Sequence, residues 1–130
     1  MESHGDVKLE WRDDLLIVTP KGPFNEEGSI LAMKKYRDFV ALKKYSHWYR
    51  LELWDEDSMG TVEVIDGVRK FYLWSKEQGC MAAAVVVANE LQAALVRKTM
   101  PDPVSVCREE YEAIMWLEKQ REQDIGPQPD

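Results

Sequence analysis

The apolar run Met81-Ala-Ala-Ala-Val-Val-Val-Ala88 constrains the fold more than any other stretch of this chain. It has no polar position on either face, which is typical of a strand inside a parallel sheet with helices on both faces. Before it come an aromatic segment from Trp48 to Trp54, an acidic turn from Asp55 to Gly60 and an amphipathic segment from Thr61 to Gln78. Together these segments predict a strand, loop, helix and strand, a crossover unit that requires a parallel sheet.

Two segments before this unit predict an antiparallel hairpin. Val7 to Trp11 alternates apolar and charged residues, as a strand with one solvent-exposed face does, and Leu15 to Thr19 is a second strand-like run. Only the polar turn Arg12-Asp13-Asp14 joins them, and so short a connection requires antiparallel strands. The hairpin therefore supplies the antiparallel member of an otherwise parallel sheet.

Helix signals account for the remaining segments. Asn25 and Asn89 stand where a helix N-cap is preferred, and Gly79 stands where a helix end favours a left-handed residue. Val104 to Cys107 predicts a short last strand, and Arg108 to about Arg121 a last helix. We therefore predict an α/β fold in the order ββαβαβαβα, a single-domain sandwich with a mixed, mostly parallel sheet of about five strands and about four helices.

Composition and charge limit the classes of function. We expect one domain over residues 1–121 and a disordered tail over residues 122–130. With 17 basic and 24 acidic residues the net charge is -7, and no basic stripe is present, so nucleic acid is a poor partner. No secretion signal and no apolar run of roughly 20 residues is visible. We therefore expect a cytoplasmic protein without membrane insertion, in which Cys80 and Cys107 are reduced core thiols.

Three local patterns, together with the element order, resemble a known family over about residues 6–120. They are the turn Asp55-Glu-Asp-Ser-Met-Gly60, the helix ending Glu77-Gln-Gly79 before an apolar strand, and the closing segment Tyr111-Glu-Ala-Ile-Met-Trp-Leu117. The chain resembles the STAS domain, the fold of bacterial anti-sigma-factor antagonists, and is similar to a related family in which that fold is compared with lipid-transfer domains. The resemblance implies a bacterial regulatory or protein-interaction module that is not an enzyme and needs no cofactor.

The resemblance also implies a phosphoacceptor. Phosphorylated antagonists carry an Asp-Ser-Ser-Gly type motif at the start of the second helix, and Asp57-Ser58-Met59-Gly60 resembles part of it. Counting back from Gly79 instead places Thr61 or Val62 nearer that position, and Ser58 and Thr61 cannot both occupy it. Either side chain can alternatively cap the helix through its oxygen. The resulting partner- or ligand-binding candidates are Trp54, Asp55, Asp57, Ser58, Met59, Gly60 and Thr61.

Other residues leave two interpretations open. Arg50 and Glu52 lie between two indoles on one face of the third predicted strand, which is either a surface partly covered by a helix or an exposed contact patch. The aromatic residues either fill the core or line an apolar pocket or a dimer seam: Trp48, Trp54, Tyr72, Trp74 and Trp116.

Neither the acidic turn nor the histidines predict a metal or catalytic site. Asp55, Glu56 and Asp57 are consecutive, and consecutive carboxylates rarely converge on one Mg²⁺, so solvated loop charges are expected. His4 and His47 lack nearby partners for a nucleophile or a zinc set. No constellation in the sequence therefore supports an enzyme.

Two hypotheses of different classes follow. In the first, the protein is a regulatory module that docks a protein partner through the Trp54 to Thr61 loop and the start of the second helix. The alternative is a binder or carrier of a small apolar or lipid-like ligand between the third strand and the second and third helices. That alternative requires a closed apolar pocket on the order of a few hundred Å³. The face of the third strand that carries its even-numbered residues, or an open sheet edge, could also pair two copies as a homodimer.

Overall fold

The computed structural model describes residues 3–58 and 62–125, and the elements follow the predicted order ββαβαβαβα. Met59, Gly60 and Thr61 of the predicted site lie outside the described residues, as do residues 126–130 of the predicted tail. The strands are β1 (Asp6–Arg12), β2 (Leu15–Lys21), β3 (Trp48–Leu53), β4 (Cys80–Val86) and β5 (Val104–Cys107). The helices are α1 (Glu26–Val40), α2 (Val62–Glu77), α3 (Glu90–Thr99) and α4 (Glu110–Ile125).

The described strands form one mixed five-stranded sheet in the order β1-β2-β3-β4-β5. β1 is antiparallel to β2, and every other neighbouring pair is parallel. Since crossovers are right-handed and each one steps to the next strand in the same direction, α1, α2 and α3 pack on one face of the sheet. α4 covers the opposite face, where Ala113 and Leu117 pack with Leu51 and Ala84. The predicted fold class and the interior position of β4 are confirmed.

β3 is buried on both faces. Tyr49 and Leu51 face α4, while Trp48 packs with α1 and α2 on the other side. Arg50 and Glu52, on the same face as Trp48, are each only 2% exposed. The interpretation of this face as an exposed contact patch is therefore wrong, because α1 and α2 cover it.

The local signals at the helix ends act as predicted. The Asn25 side chain accepts a hydrogen bond from the Gly28 amide, and the Asn89 side chain accepts one from the Gln92 amide. Both contacts satisfy an amide that would otherwise lack a helical partner. Gly79 follows α2 with a φ of 103°, a left-handed conformation that favours glycine. Any Cβ at Gly79 would also collide with the Ser46 carbonyl oxygen.

α4 continues beyond its predicted end. Arg121 forms an ion pair of 2.6 Å with Asp14, and Asp124 accepts a hydrogen bond of 2.6 Å from the Tyr49 hydroxyl. The helix end expected near Arg121 is therefore too early, and residues 122–125 are helical instead of disordered. Cys80 and Cys107 are free and buried, as expected for core thiols.

Candidate functional site

A pocket of about 120 Å³ lies between the sheet and the helical layer of α1 and α2. The side of α1 that faces it carries Ser29, Ala32 and Met33, and the first two of these side chains are small. Tyr36 of α1 also lines the pocket. The rest of the lining is mostly apolar and comes from three strands, two further helices and the segments after β2 and β3: Val7, Val18, Pro20, Phe24, Glu52, Trp54, Ser58, Ile65, Val68, Phe71, Tyr72, Leu95 and Thr99.

The carboxylate of Glu52 is the charged group of this lining. Its Oε1 accepts hydrogen bonds of 2.8 Å from Trp54 Nε1 and of 2.9 Å from the Tyr72 hydroxyl. Its Oε2 lies 2.9 Å from Arg50 Nε. That contact is an ion pair only, since the geometry does not align the Arg50 N–H with the carboxylate oxygen for a hydrogen bond. Hydrogen bonds to Oε1 thus hold the Glu52 side chain in place, and the nearby Arg50 guanidinium neutralises its charge.

Arg50 completes a buried polar cluster. Its guanidinium carbon lies 4.1 Å from the centre of the Tyr72 ring, a cation–π distance. It also donates to the Tyr36 hydroxyl at 3.4 Å and contacts Met100 Sδ at 3.9 Å. Burial by itself lowers the pKa of Arg50, but Tyr36 and Glu52 outweigh this effect and raise it above its ordinary value. The guanidinium therefore stays charged.

Burial also fixes the state of the two phenols. It raises the pKa of Tyr36 to about 12. For Tyr72, burial and the neighbouring Glu52 charge raise the pKa well above its ordinary value. Both hydroxyls are therefore protonated near neutral pH, and Tyr72 can donate to Glu52 throughout that range.

The acidic turn is held against the rim of the pocket by Ser58. The Ser58 hydroxyl accepts a hydrogen bond from the Asp55 amide and lies 2.8 Å from Asp55 Oδ1 and 3.2 Å from the Pro20 carbonyl oxygen. The side chain of Gln92, in the first turn of α3, donates to the Asp55 carbonyl oxygen at 2.7 Å. Gly22 permits the close approach, because a Cβ there would lie 2.1 Å from the Asp57 carbonyl oxygen. The turn therefore has a defined position.

The predicted site residues divide into two groups. Trp54 and Ser58 line the pocket, whereas Asp55 and Asp57 are exposed to solvent. Ser58 is 6% exposed and its hydroxyl is bonded within the turn, so a kinase would reach it only if the turn opened. The bonds that the structure gives Ser58 go to the turn and to Pro20 rather than to an amide of α2.

Sequence reasoning missed Glu52 and Gln92 as parts of the site. Glu52 carried a signal in the sequence, since it lies beside Arg50 between two indoles on β3, and a charge that is buried there needs a specific partner. Gln92 carried no such signal. Among the aromatic candidates, Tyr72 and Trp54 line the pocket, Trp48 is fully buried, and Trp116 packs on the opposite face.

The described residues form neither a metal site nor the crevice that opens where the strand order of an α/β sheet reverses. Within residues 3–58 and 62–125, no three or more histidine, cysteine or carboxylate side chains converge as a metal site. The strand order never reverses direction, so the sheet lacks the crevice in which open α/β sheets usually bind ligands. None of the described helices combines the length and apolar character needed to cross a bilayer.

Comparison with known proteins identifies the fold. No protein-family model and no curated protein matches the chain. A solved structure is similar to it, an uncharacterized protein from the DUF3478 family with a SpoIIAA-like fold from Shewanella loihica PV-4. The TM-score is 0.63 at 16% sequence identity, and the alignment covers 90% of this chain and 96% of that chain. The chain therefore has a SpoIIAA-like fold, which confirms the expected STAS-like architecture.

Proposed function

We propose that this protein is a non-enzymatic binding module that takes a small apolar ligand into the pocket between α1, α2 and the sheet. The observation that supports the proposal is the pocket itself, about 120 Å³ in volume and lined mostly by apolar side chains. A cavity of about 150 Å³ suffices for benzene in another protein. The pocket is smaller than the sequence hypothesis required and is partly open to solvent instead of closed, and it involves α1 as well as α2 and α3. A single-ring ligand therefore suits it better than a long lipid chain.

Toluene tests this proposal. We expect it to bind, as measured by chemical-shift changes at Ala32, Val68 and Phe71 in NMR titration. Ala32→Leu places extra methyl groups in the pocket and should weaken binding at least tenfold. The matched control is Ala94→Leu, on an exposed position of α3, which should leave the affinity unchanged. Absence of any toluene binding to the folded protein would contradict the proposal.

The second candidate function is regulation through a protein partner that docks on the acidic turn. It is supported by the fixed position of the exposed Asp55, Glu56 and Asp57, which Ser58 and Gln92 hold at the pocket rim. Trp54 and Ser58 belong to the same segment and line the pocket, so a ligand there would contact the docking segment. Such a partner would carry a basic surface, because three carboxylates face it.

Crosslinking in the source cells tests the docking proposal. We expect one crosslinked species that is lost in the Glu56→Lys, Asp57→Lys variant and kept in Glu112→Lys, a control on exposed α4. Intact-mass measurement of the same purified protein would show whether it carries phosphate, and peptide fragmentation would assign the phosphate to Ser58 or Thr61. A crosslinking pattern that is identical in all variants would exclude the turn as the docking surface.

A further inference from the structure

β1 leaves one edge of the sheet open. It is 7 residues long and pairs with β2 on one side only, whereas β5, at the other end of the sheet, has 4 residues. The open side of an edge strand presents backbone amide and carbonyl groups that can pair with another strand. β1 is therefore the edge that offers the longer template to a second chain.

The hairpin fixes which residues of β1 turn their backbone groups outward. The two-residue turn between β1 and β2 closes on a hydrogen-bonded pair, and such pairs alternate with non-bonded ones along the ladder. Val7, Leu9 and Trp11 therefore direct their amide and carbonyl groups away from β2. Pro20, which has no amide hydrogen, lies opposite Val7, as this alternation requires. Lys35 of α1 donates to the Val7 carbonyl oxygen, which places that group on the open side.

The even-numbered residues of β1 carry exposed charges of alternating sign: Asp6, Lys8, Glu10 and Arg12. A second copy of β1 can run antiparallel to the first with Leu9 opposite Leu9. Lys8 then lies opposite Glu10 of the second copy, and Asp6 lies opposite Arg12 of the second copy. Two-fold symmetry repeats both pairings, and opposite charges facing each other across two strands stabilise the pair.

Other registers of the same two strands are disfavoured. A slip of one residue would set outward-directed backbone groups against inward-directed ones. A slip of two residues would oppose Lys8 to Lys8 or Glu10 to Glu10, and like charges directly opposite each other are destabilising. The charge pattern of β1 therefore specifies one register with a second copy of itself.

The side of α1 that borders this edge is also suited to a second copy. Lys35 lies 3.5 Å from Asp6 of β1, so this side of the helix lies beside the open edge. Leu31 and Leu42 line the same groove as Lys35 and are 57% and 71% exposed. With Leu9 on the two-fold axis, the two copies of α1 run antiparallel beside each other. Both leucines thus lie where a second copy approaches.

We propose that two copies of this chain associate through their β1 edges, antiparallel and centred on Leu9, so that one sheet continues across the two-fold axis. The even-numbered face of β3, the other surface that the sequence offers for a homodimer, is buried beneath α1 and α2 and cannot serve. Lys35 already donates to the Val7 carbonyl oxygen, but a carbonyl oxygen has two lone pairs and can accept a second bond. The inference is independent of the proposed ligand.

Charge reversal in β1 tests the register. We expect the wild-type protein to form a dimer in sedimentation equilibrium. Lys8→Glu and Glu10→Lys each oppose like charges across the two-fold axis, and each should weaken dimerisation at least tenfold. An equimolar mixture of the two variants restores opposite charges and should form a heterodimer. The matched control is Lys119→Glu, the same change at an exposed position of α4, which should leave dimerisation unchanged.

Three outcomes would overturn the inference: a wild-type protein that stays monomeric at millimolar concentration, folded Lys8→Glu protein that dimerises as tightly as the wild type, or a mixture of the folded variants that forms no heterodimer.

Amide hydrogen exchange locates the contact in the wild-type chain, so that the proposal can be decided even if a variant fails to fold. The Leu9 and Trp11 amides face the open edge and should exchange more slowly as dimer forms with rising protein concentration. The Lys8 amide faces β2 and should change little. Self-association that leaves exchange at Leu9 unchanged would contradict pairing at this edge.

Discussion

The face of the sheet beneath α4 and the face beneath α1, α2 and α3 share the same strands but pack differently. Beneath α4 the contacts are largely between small or aliphatic side chains, with Ala113 of α4 and Ala84 of β4 both fully buried. The other face holds large rings such as Trp48 and Phe71, the Arg50–Glu52 ion pair and the pocket. Small and aliphatic side chains pack α4 directly on the sheet, whereas the three helices over rings and charges border the pocket.

The two faces also differ in the kind of contact that orders their side chains. Small aliphatic contacts are non-directional, so the centre of the α4 face can be packed by shape. Directional contacts on this face lie towards the end of α4, where Arg121 pairs with Asp14 and Asp124 accepts from Tyr49. On the other face, hydrogen bonds and cation–π contacts fix Arg50, Glu52 and Tyr72 in orientation. Directional contacts keep these groups in place at the pocket wall instead of letting them collapse into it. Both faces therefore stabilise the fold, and the face beneath α1, α2 and α3 also positions the candidate site.

Among the proposed substitutions, removing the Arg50 charge should lower the free energy of unfolding the most. Arg50→Met leaves Glu52 buried without its cation, and we expect a loss of about 3–5 kcal/mol in the free energy of unfolding. Urea denaturation followed by tryptophan fluorescence measures it. Adding Glu52→Leu in the same chain removes the uncompensated charge and should recover part of the loss. A loss below about 1 kcal/mol for Arg50→Met would show that the two charges are not coupled.

Truncating one apolar side chain on each face should lower the free energy of unfolding by the next largest amount, and more on the α4 face than on the pocket face. Leu51→Ala opens a cavity in the dense α4 face and should cost about 2–5 kcal/mol. Met33→Ala removes a partly buried side chain that already borders the pocket, and we expect a loss of roughly 1 kcal/mol. Thermal denaturation of both variants gives the comparison. Equal losses would mean that the two faces are packed equally well.

Alkaline pH should lower the free energy of unfolding through Tyr36 on the pocket face, with a smaller effect than the substitutions above. Because burial raises the pKa of Tyr36 from 10.0 to about 12, the folded state keeps the proton that the unfolded state loses first. The stabilising contribution is therefore fully present below pH 10 and decreases as the pH rises towards 12. Tyr36→Phe removes this contribution and should flatten the dependence of unfolding free energy on pH between these values. Tyr111→Phe, at an exposed position, serves as the control.

Much of the fold could be predicted from the sequence because its signals are local. The alternation in β1, the uniform apolar run of β4 and the caps Asn25 and Asn89 each depend on neighbouring residues only. The end of α4 could not be predicted, because its last turns are polar and the contacts that order them are distant. Arg121 pairs with Asp14, 107 positions away along the chain.

The candidate site was only partly predictable for the same reason. Trp54 and Ser58 were found because they stand in a segment with a recognisable turn and a family resemblance. The role of Glu52 depends on whether a helix covers its face of β3, and that is decided by strand order and crossover direction. No pattern within β3 decides which interpretation is right, so the sequence left both the covered and the exposed interpretations open.

The Gln92 side chain extends the hydrogen bonding between the segments that follow β3 and β4. The β3–β4 hydrogen bonds continue to the Trp54 amide, which donates to the Val86 carbonyl oxygen. Beyond that point the Gln92 side chain accepts a hydrogen bond from the Ala88 amide and donates one to the Asp55 carbonyl oxygen. Its amide group therefore bridges the segments that follow β3 and β4, as a peptide group of a neighbouring strand would. The Ala88 amide should therefore exchange its hydrogen slowly although it lies outside any strand. One side chain of α3 therefore links the segment that follows β3 to the segment that follows β4.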